Sequence, residues 1–208
     1  DIRALGRRAL AVRTDVTDLD AIDAMVNRAV EEMGSVDILA NVAGVQRRKN
    51  ILNVTLEDWD FIMNINLRAA YFASQAAARV MVRNGRGKII HIASMTSYRG
   101  FAGTSLYGAS KAAVVQMTKS MAIEWAEANI QVNAIAPGWI ATPMVATMPE
   151  SRKQWVLDHT PQGRMGTPED IAGLSVYLAS PLADFVTGQT YPIDGGFLAG
   201  NPWPPLPS

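Results

Sequence analysis

Residues 87–111 read GKIIHIASMTSYRGFAGTSLYGASK, and this stretch decides the fold. Its first eight residues are largely apolar, which predicts a strand buried on both faces of a sheet. Its last residues begin a helix that we predict over 105–127. A strand that passes through a short turn into a long helix is typical of βαβ units around a parallel sheet.

The same alternation of strand and helix extends outward in both directions. We predict further strands over 8–14, 36–44, 130–138 and 189–194, and further helices over 18–33, 55–83 (interrupted near 64–66) and 168–180. Asp18 and Gly34 are suited to cap the first of these helices, and Pro168 to open the last. The predicted fold class is α/β, a doubly wound Rossmann-like parallel sheet with helices on both faces, forming a single domain over 1–200. Residues 201–208 (NPWPPLPS) are predicted to be an irregular, proline-rich tail.

The composition argues against several classes of partner. The 208 residues include 19 basic and 19 acidic side chains, and this balance predicts no general attraction to nucleic acid. No apolar run reaches the roughly 18 residues of a membrane span, and the first residues lack the apolar core of a signal peptide. We therefore expect a cytoplasmic protein that acts on a small molecule. There is no cysteine, and His91 and His159 are far apart in the sequence, so we predict no metal site.

Tyr107 and Lys111 are four residues apart in the helix predicted over 105–127, which places them on one helical face. A nearby ammonium favours the phenolate and lowers the pKa of a tyrosine from its reference value of about 10. The pair is therefore a candidate acid/base unit, and the alternative is an ordinary helical surface pair.

Polar and turn residues collect at the predicted carboxyl ends of the strands, where ligands bind in parallel sheets. They are the segment 41–44 (NVAG), Ser94 and the segment 137–142 (PGWIAT). Together with Asn66, Tyr107 and Lys111, their order and spacing resemble the short-chain dehydrogenase/reductase family over about 15–196. Val42 departs from the family's Asn-Asn-Ala-Gly element, at a position that is commonly structural.

The resemblance implies catalytic roles for four residues. Tyr107 exchanges a proton with the substrate hydroxyl, while Lys111 lowers the pKa of Tyr107 and binds the nicotinamide ribose. Ser94 holds the substrate oxygen, and Asn66 supports a proton-relay water. For Asn66 the alternative is a structural amide at a helix break.

The resemblance also implies NAD or NADP as the cofactor. Residues at its matching positions are Asp15, Val16, Asn41, Ala43, Gly44, Tyr107, Lys111, Pro137, Gly138, Ile140 and Thr142. For Asp15 the alternative is a turn or helix-capping residue. The family normally begins with a glycine-rich turn that holds the pyrophosphate, and this element is not in the sequence. We therefore expect either that the sequence omits an N-terminal segment, or that the chain is a truncated, inactive fragment or scaffold lacking the first β-α-β unit.

The segment 44–48 (GVQRR) follows a strand end and indicates the substrate. Paired arginines there are suited to bind a carboxylate, and the alternative is a solvated charged loop. Similar segments occur in family members that act on sugar acids, such as gluconate 5-dehydrogenase and 2-deoxy-gluconate 3-dehydrogenase, while the region of Trp155, Thr160 and Pro161 resembles polyol dehydrogenases. We predict oxidation of a secondary alcohol on a sugar acid or polyol, with 3-ketoacyl reduction as an alternative. The candidate substrate-binding residues are Arg47, Arg48, Ser94, Met95 and Trp155.

Two further expectations concern a lid and an assembly. Residues 142–160 are expected to cover the substrate, with Met144, Met148, Trp155 and Val156 as an apolar set that core packing explains about as well. The helical segments 65–83 and 105–127 carry many small residues, which let helices approach closely. In the family these helices pair between subunits, so we predict a homotetramer. The small residues are Ala69, Ala70, Ala73, Ala76, Ala77, Ala109, Ala112 and Ala113.

Overall fold

A computed structural model of the chain describes residues 1–146 and 148–200. Its centre is a four-stranded sheet in which every neighbouring pair is parallel and the strands follow chain order. The strands are β1 (Ile38–Asn41), β2 (Gly87–Ile92), β3 (Ile130–Pro137) and β4 (Thr190–Ile193). The predicted tail over 201–208 lies outside the described residues, and the single-domain organisation stays a prediction.

Seven α-helices connect and cover these strands in the described part of the chain. They are α1 (Leu19–Met33), α2 (Leu56–Met63), α3 (Ala69–Asn84), α4 (Ser105–Glu124), α5 (Pro143–Ala146), α6 (Glu150–His159) and α7 (Pro168–Ala179). A π-helical segment, Asn64–Arg68, joins α2 to α3 and accounts for the interruption expected near 64–66. None of the described helices combines the length and apolar character that a membrane span needs.

Helices pack on both faces of the sheet, which confirms the predicted fold class. Ile89 belongs to a cluster with α3 and α4, whereas the next residue, Ile90, belongs to a cluster with α7. The alternation follows from the strand geometry, since successive side chains point to opposite faces. Because both faces are covered, β2 and β3 are buried nearly throughout, as their continuous apolar runs predict.

The predicted helix ends are confirmed where capping residues define them. The carboxylate of Asp18 accepts hydrogen bonds from the backbone N–H groups of residues 20 and 21, and Gly34 ends α1 with a φ of 93°. At α7, Thr167 and Asp170 form a reciprocal capping box in front of Pro168.

Two strand predictions are wrong in detail. Residues 8–14 form no strand, because a strand needs a neighbour to complete its backbone hydrogen bonds and none lies beside them in the described chain. Leu10 and Val12 are accordingly exposed. The strand predicted over 36–44 is shorter, and it is not buried on both faces because β1 is an edge of the described sheet. Ile38 is 49% exposed there.

Candidate active site

The carboxyl ends of β2 and β3 open into a cavity of about 550 Å³. Two predicted catalytic residues, Ser94 and Tyr107, line it together. Its walls also include the loop after β1, the turn after β3 and helix α6. The remaining lining residues are Gln46, Arg48, Met95, Thr96, Phe101, Ala102, Thr104, Gly138, Trp139, Val145, Met148, Pro149, Ser151, Arg152 and Trp155.

Ser94 directly follows the end of β2 and caps a short 3-10 turn. Its Oγ accepts a hydrogen bond of 3.1 Å from the backbone N–H of Thr96. Tyr107 reaches the same cavity from the first turn of α4. Burial raises the pKa of the Tyr107 phenol, and its hydrogen bond with Ser94 acts in the opposite direction.

Lys111 lies one turn further along α4 and is almost completely buried. Its Nζ donates a hydrogen bond of 2.7 Å to the carbonyl oxygen of Ile92 at the end of β2. Burial lowers the pKa of Lys111 to about 8. The expected lowering of the Tyr107 pKa by Lys111 is not found, since Nζ lies 5.8 Å from the centre of the phenol ring and burial of the phenol dominates.

Asn66 lies in the π-helical segment, and its amide holds the loop that follows β1. Its Oδ1 accepts from the backbone N–H of Val45 at 2.8 Å, and its Nδ2 donates to the Val45 carbonyl at 2.9 Å. Nδ2 also donates to Ser110 Oγ at 3.1 Å on α4. The alternative role as a structural amide at the helix break is therefore present in the structure, and the proton-relay role stays a prediction.

The side chain of Asn41 turns into the protein at the end of β1. Its Nδ2 lies 2.9 Å from Ser74 Oγ, to which it donates, and 3.1 Å from Nδ1 of the buried His91. Burial, together with the positive charge of Lys111, lowers the pKa of His91 to about 4. His91 is therefore neutral at physiological pH, and the amide of Asn41 is occupied by internal contacts.

Gly44 lies close to the buried ammonium of Lys111 and to the amide of Asn66. A Cβ added there would lie 3.4 Å from Lys111 Nζ and 3.5 Å from Asn66 Oδ1. An ammonium has three donors, and the structure pairs one of those of Lys111 within the described residues. The buried indole Nε1 of Trp139 has no hydrogen-bond partner among them. The donors of the Lys111 ammonium that remain unpaired within the described residues fit hydroxyl groups such as those of a nicotinamide ribose.

Most of the other predicted cofactor residues lie in the loop after β1 and between the end of β3 and the start of α5. Pro137 and Gly138 end β3, where the Gly138 N–H donates to the Ile193 carbonyl. Ile140 pairs with Gly166 beside a second cavity, and Thr142 precedes α5. Ala43 is exposed between Val42 and Gly44 in the loop after β1.

Asp15 and Val16 lie in the turn before α1. The Asp15 carboxylate accepts hydrogen bonds from the N–H and hydroxyl of Thr17, which lower its pKa. The alternative of a turn residue is therefore what the structure shows for Asp15, and contact with an adenine ring stays a prediction. Val16 packs beside the cluster between α1 and α3.

The structure separates the two predicted substrate arginines. Arg47 does not line the cavity, because its guanidinium stacks on Phe61 at 3.8 Å from the ring centre and forms ion pairs with Glu57 and Asp58. Arg48 points into the cavity. Contrary to the prediction from the sequence, Arg47 and Arg48 are therefore not placed to bind one substrate carboxylate together.

The segment predicted as a lid does border the cavity. Met148 and Trp155 line it, whereas Val156 is fully buried and packs as a core residue. The side chain of Met144 and all of Thr147 lie outside the described residues. Sequence reasoning missed Arg152, which lines the cavity from the same helix as Trp155. The helical spacing of three residues between them was the available signal.

Comparison with known proteins agrees with this geometry. A family model described as enoyl-(acyl carrier protein) reductase matches residues 2–198. The 2-dehydro-3-deoxy-D-gluconate 5-dehydrogenase of Escherichia coli is 46% identical over 201 residues, 95% of this chain and 79% of the relative. The 3-oxoacyl-(acyl-carrier-protein) reductase of Thermotoga maritima is 40% identical over 88% of this chain and 75% of its own length.

A solved structure is similar over nearly the whole chain. It is the gluconate 5-dehydrogenase of Burkholderia cenocepacia in complex with NADP and tartrate, 35% identical, with a TM-score of 0.92 over 95% of this chain and 78% of that one. Ser94 follows β2 and Tyr107 lies on α4, both lining one cavity of a parallel-sheet protein, and the relatives that match most of the chain are named as dehydrogenases and reductases. The chain belongs to the short-chain dehydrogenase/reductase family.

Proposed function

We propose that the protein is an NAD(P)-dependent dehydrogenase that interconverts a secondary alcohol and a ketone on a sugar acid. The observation that carries the proposal is one cavity lined jointly by Ser94, Tyr107 and Arg48. The first two supply the proton chemistry of an alcohol, and the third supplies a charge suited to a carboxylate. Relatives named for gluconate and for 2-dehydro-3-deoxy-D-gluconate support this substrate class.

In the proposed reaction Tyr107 accepts the proton of the substrate hydroxyl during oxidation and returns it during reduction. Ser94 donates a hydrogen bond to the reacting oxygen, where negative charge develops. A bound nicotinamide would accept or supply the hydride. Lys111, beside Gly44, would hold the ribose of that cofactor, and Asn66 would fix the Val45 backbone next to it.

Absorbance of the reduced nicotinamide tests the proposal directly. NAD and NADP are each combined with gluconate, deoxygluconate and several polyols, and turnover of a sugar acid is expected with one of the two cofactors. Tyr107→Phe is expected to lower the rate by about 100-fold or more, because the proton acceptor is lost. Tyr98→Phe removes a phenol from an exposed residue outside the cavity and is expected to retain the rate. Absence of turnover with every alcohol and both cofactors contradicts the proposal.

A 3-oxoacyl reductase is the second candidate, since one relative of 40% identity carries that name. The reacting end of its substrate is an uncharged ketone and thioester, which provides no counterion for the guanidinium in the cavity. Reduction of acetoacetyl coenzyme A faster than any sugar-acid ketone would favour this candidate.

The proposal includes a homotetramer that works in the cytoplasm. Of the small residues on the two interface helices, Ala69, Ala73, Ala76 and Ala77 pack inside the chain's own core. Ala109 and Ala112 are exposed on α4 and remain available for close approach of a second subunit. The support for the interface therefore rests on α4 more than on α3.

A further inference from the structure

We propose that Arg48 and Arg152 together bind the carboxylate of the substrate, so that the protein selects a sugar acid over a neutral polyol of the same length. Arg152 is thereby a specificity-determining residue on α6, paired with an arginine from the loop after β1. The inference rests on the proposed dehydrogenase function and identifies the substrate class of that site.

The cavity carries a positive charge. Among the lining residues in the described part of the chain, Arg48 and Arg152 are the two with a formal charge, and none is acidic. A substrate cavity with two positive charges and no negative one favours an anion. Ser94 and Tyr107 line the same cavity, so an anion held by the arginines extends towards the proton-transfer groups.

The direction of Arg48 follows from an alternation along the loop. Arg47 and Lys49 both form ion pairs with Asp58, at 3.3 Å and 2.6 Å. Gln46 and Arg48 both line the cavity. The anchoring of Arg47 and Lys49 to Asp58 therefore leaves Gln46 and Arg48 on the side of the loop that borders the cavity. Asp58 is itself buried and caps α2, which makes the anchor part of the fold.

Within the part of the chain that the structure describes, Arg152 has no counterion, and the acidic residues of its helix interact with other side chains. Glu150 pairs with Lys153 at 3.3 Å, and Asp158 accepts a hydrogen bond from Gln154 at 2.8 Å. The structure shows neither an ion pair nor a side-chain hydrogen bond for Arg152 or Arg48 within the described residues.

The two guanidinium groups are close enough to repel each other. Partial burial lowers the pKa of Arg48, and the charge of Arg152 lowers it further. Arginine keeps its charge in proteins, so the repulsion is relieved by a bound anion rather than by loss of a proton. A carboxylate has two oxygens and can accept from both planar groups at once. Binding of the anion thus joins α6 to the loop after β1 across the cavity.

Titration calorimetry with gluconate and with sorbitol, its neutral counterpart, tests the inference without any turnover. Gluconate is expected to bind and sorbitol to bind at least tenfold more weakly. Arg48→Gln and Arg152→Gln are each expected to weaken gluconate binding about tenfold or more and to leave sorbitol unchanged. Lys153→Gln removes the same charge from the next position of α6, outside the cavity, and is expected to bind gluconate like the unaltered protein.

The outcomes separate this inference from the proposed function. Equal binding of gluconate by the arginine variants and the unaltered protein overturns the inference, as does tighter binding of glucose 6-phosphate than of gluconate. If the protein oxidises a neutral polyol and both arginine variants do so at the same rate, the dehydrogenase function is supported and the inference fails. Gluconate binding that depends on both arginines, with no turnover of any alcohol, supports the anion site and contradicts the proposed function.

Discussion

Tyr107 lies in surroundings that hold its proton. Burial raises the pKa of the phenol, and the hydrogen bond with Ser94 opposes that rise. Lys111 bonds to the end of β2 rather than to the phenol. At the scale of residues, Ser94 is therefore expected to act in two ways, by binding the substrate oxygen and by setting the pH at which Tyr107 accepts a proton.

Ser94→Ala is expected to lower kcat/KM for alcohol oxidation about 100-fold, because a donor to the developing oxyanion is lost. In this variant the midpoint of the rise of kcat/KM with increasing pH is also expected to shift to a higher pH. The sign follows because oxidation needs the deprotonated phenol, and removing the bond that lowers its pKa raises that pKa. A pH profile of the residual activity measures the shift.

Ser97→Ala is the matched control for this variant. It removes a buried hydroxyl without a hydrogen-bond partner in the described chain, three residues after Ser94 and outside the cavity. The midpoint of its pH profile is expected to remain in place. A Ser94→Ala profile with an unchanged midpoint contradicts the second role of Ser94.

At the scale of elements, the ends of β3 and β4 are packed without spare room. A Cβ added to Gly138 would lie 2.7 Å from Cα and Cβ of Asp194. The Asp194 carboxylate in turn accepts hydrogen bonds from the N–H groups of Gly196 and Leu198, so it holds the turn after β4. A side chain at 138 has to displace this turn, which lines the second cavity, or to shift Gly138 itself, which lines the active-site cavity.

Gly138→Ala is therefore expected to reduce the free energy of unfolding by about 1–3 kcal/mol and to reduce activity as well. Gly173→Ala in α7 is the control, since a Cβ there meets no atom within 4 Å. It is expected to raise stability by up to about 1 kcal/mol through helix propensity. Urea unfolding measures both, and changes of the same sign in the two variants would contradict the packing argument.

At the scale of the whole molecule, the exposed surface of α4 is where we predict that a second copy packs. Along α4, Ala109, Ala112 and Ile123 are exposed, and a cleft of about 500 Å³ separates α3 from α4 beside Tyr71. Small side chains on this surface allow a second copy to approach closely. In a symmetric contact the same surface of both copies meets, and a residue near the two-fold axis lies close to its own counterpart, so a charge placed there meets a like charge.

Light scattering is expected to give a mass four times that of the chain. Ala112→Arg is expected to lower the assembly state, because like charges oppose each other across the contact. Leu52→Arg changes an exposed apolar residue outside both helices and is expected to keep the tetramer. A monomeric mass for the unaltered protein contradicts the predicted assembly.

Local sequence patterns determined the order of strands and helices and the place of the candidate proton-transfer residues. Asp18, Gly34 and Pro168 predicted helix ends because capping depends on residues within one turn. Tyr107 and Lys111 were predictable because a spacing of four residues sets a shared helical face, and Ser94 because it ends an apolar run.

Tertiary structure alone decided which charged side chains line the candidate substrate cavity. Arg47 and Arg48 are equivalent in the sequence, and they differ because Asp58, distant in the chain, binds one and not the other. Arg152 joins the site only when α6 packs across it. Residues 8–14 have the composition of a strand but no neighbour to pair with in the described chain. The burial of a side chain, its ion pairs and its pKa depend on contacts between distant residues, so they cannot be predicted from local sequence spacing.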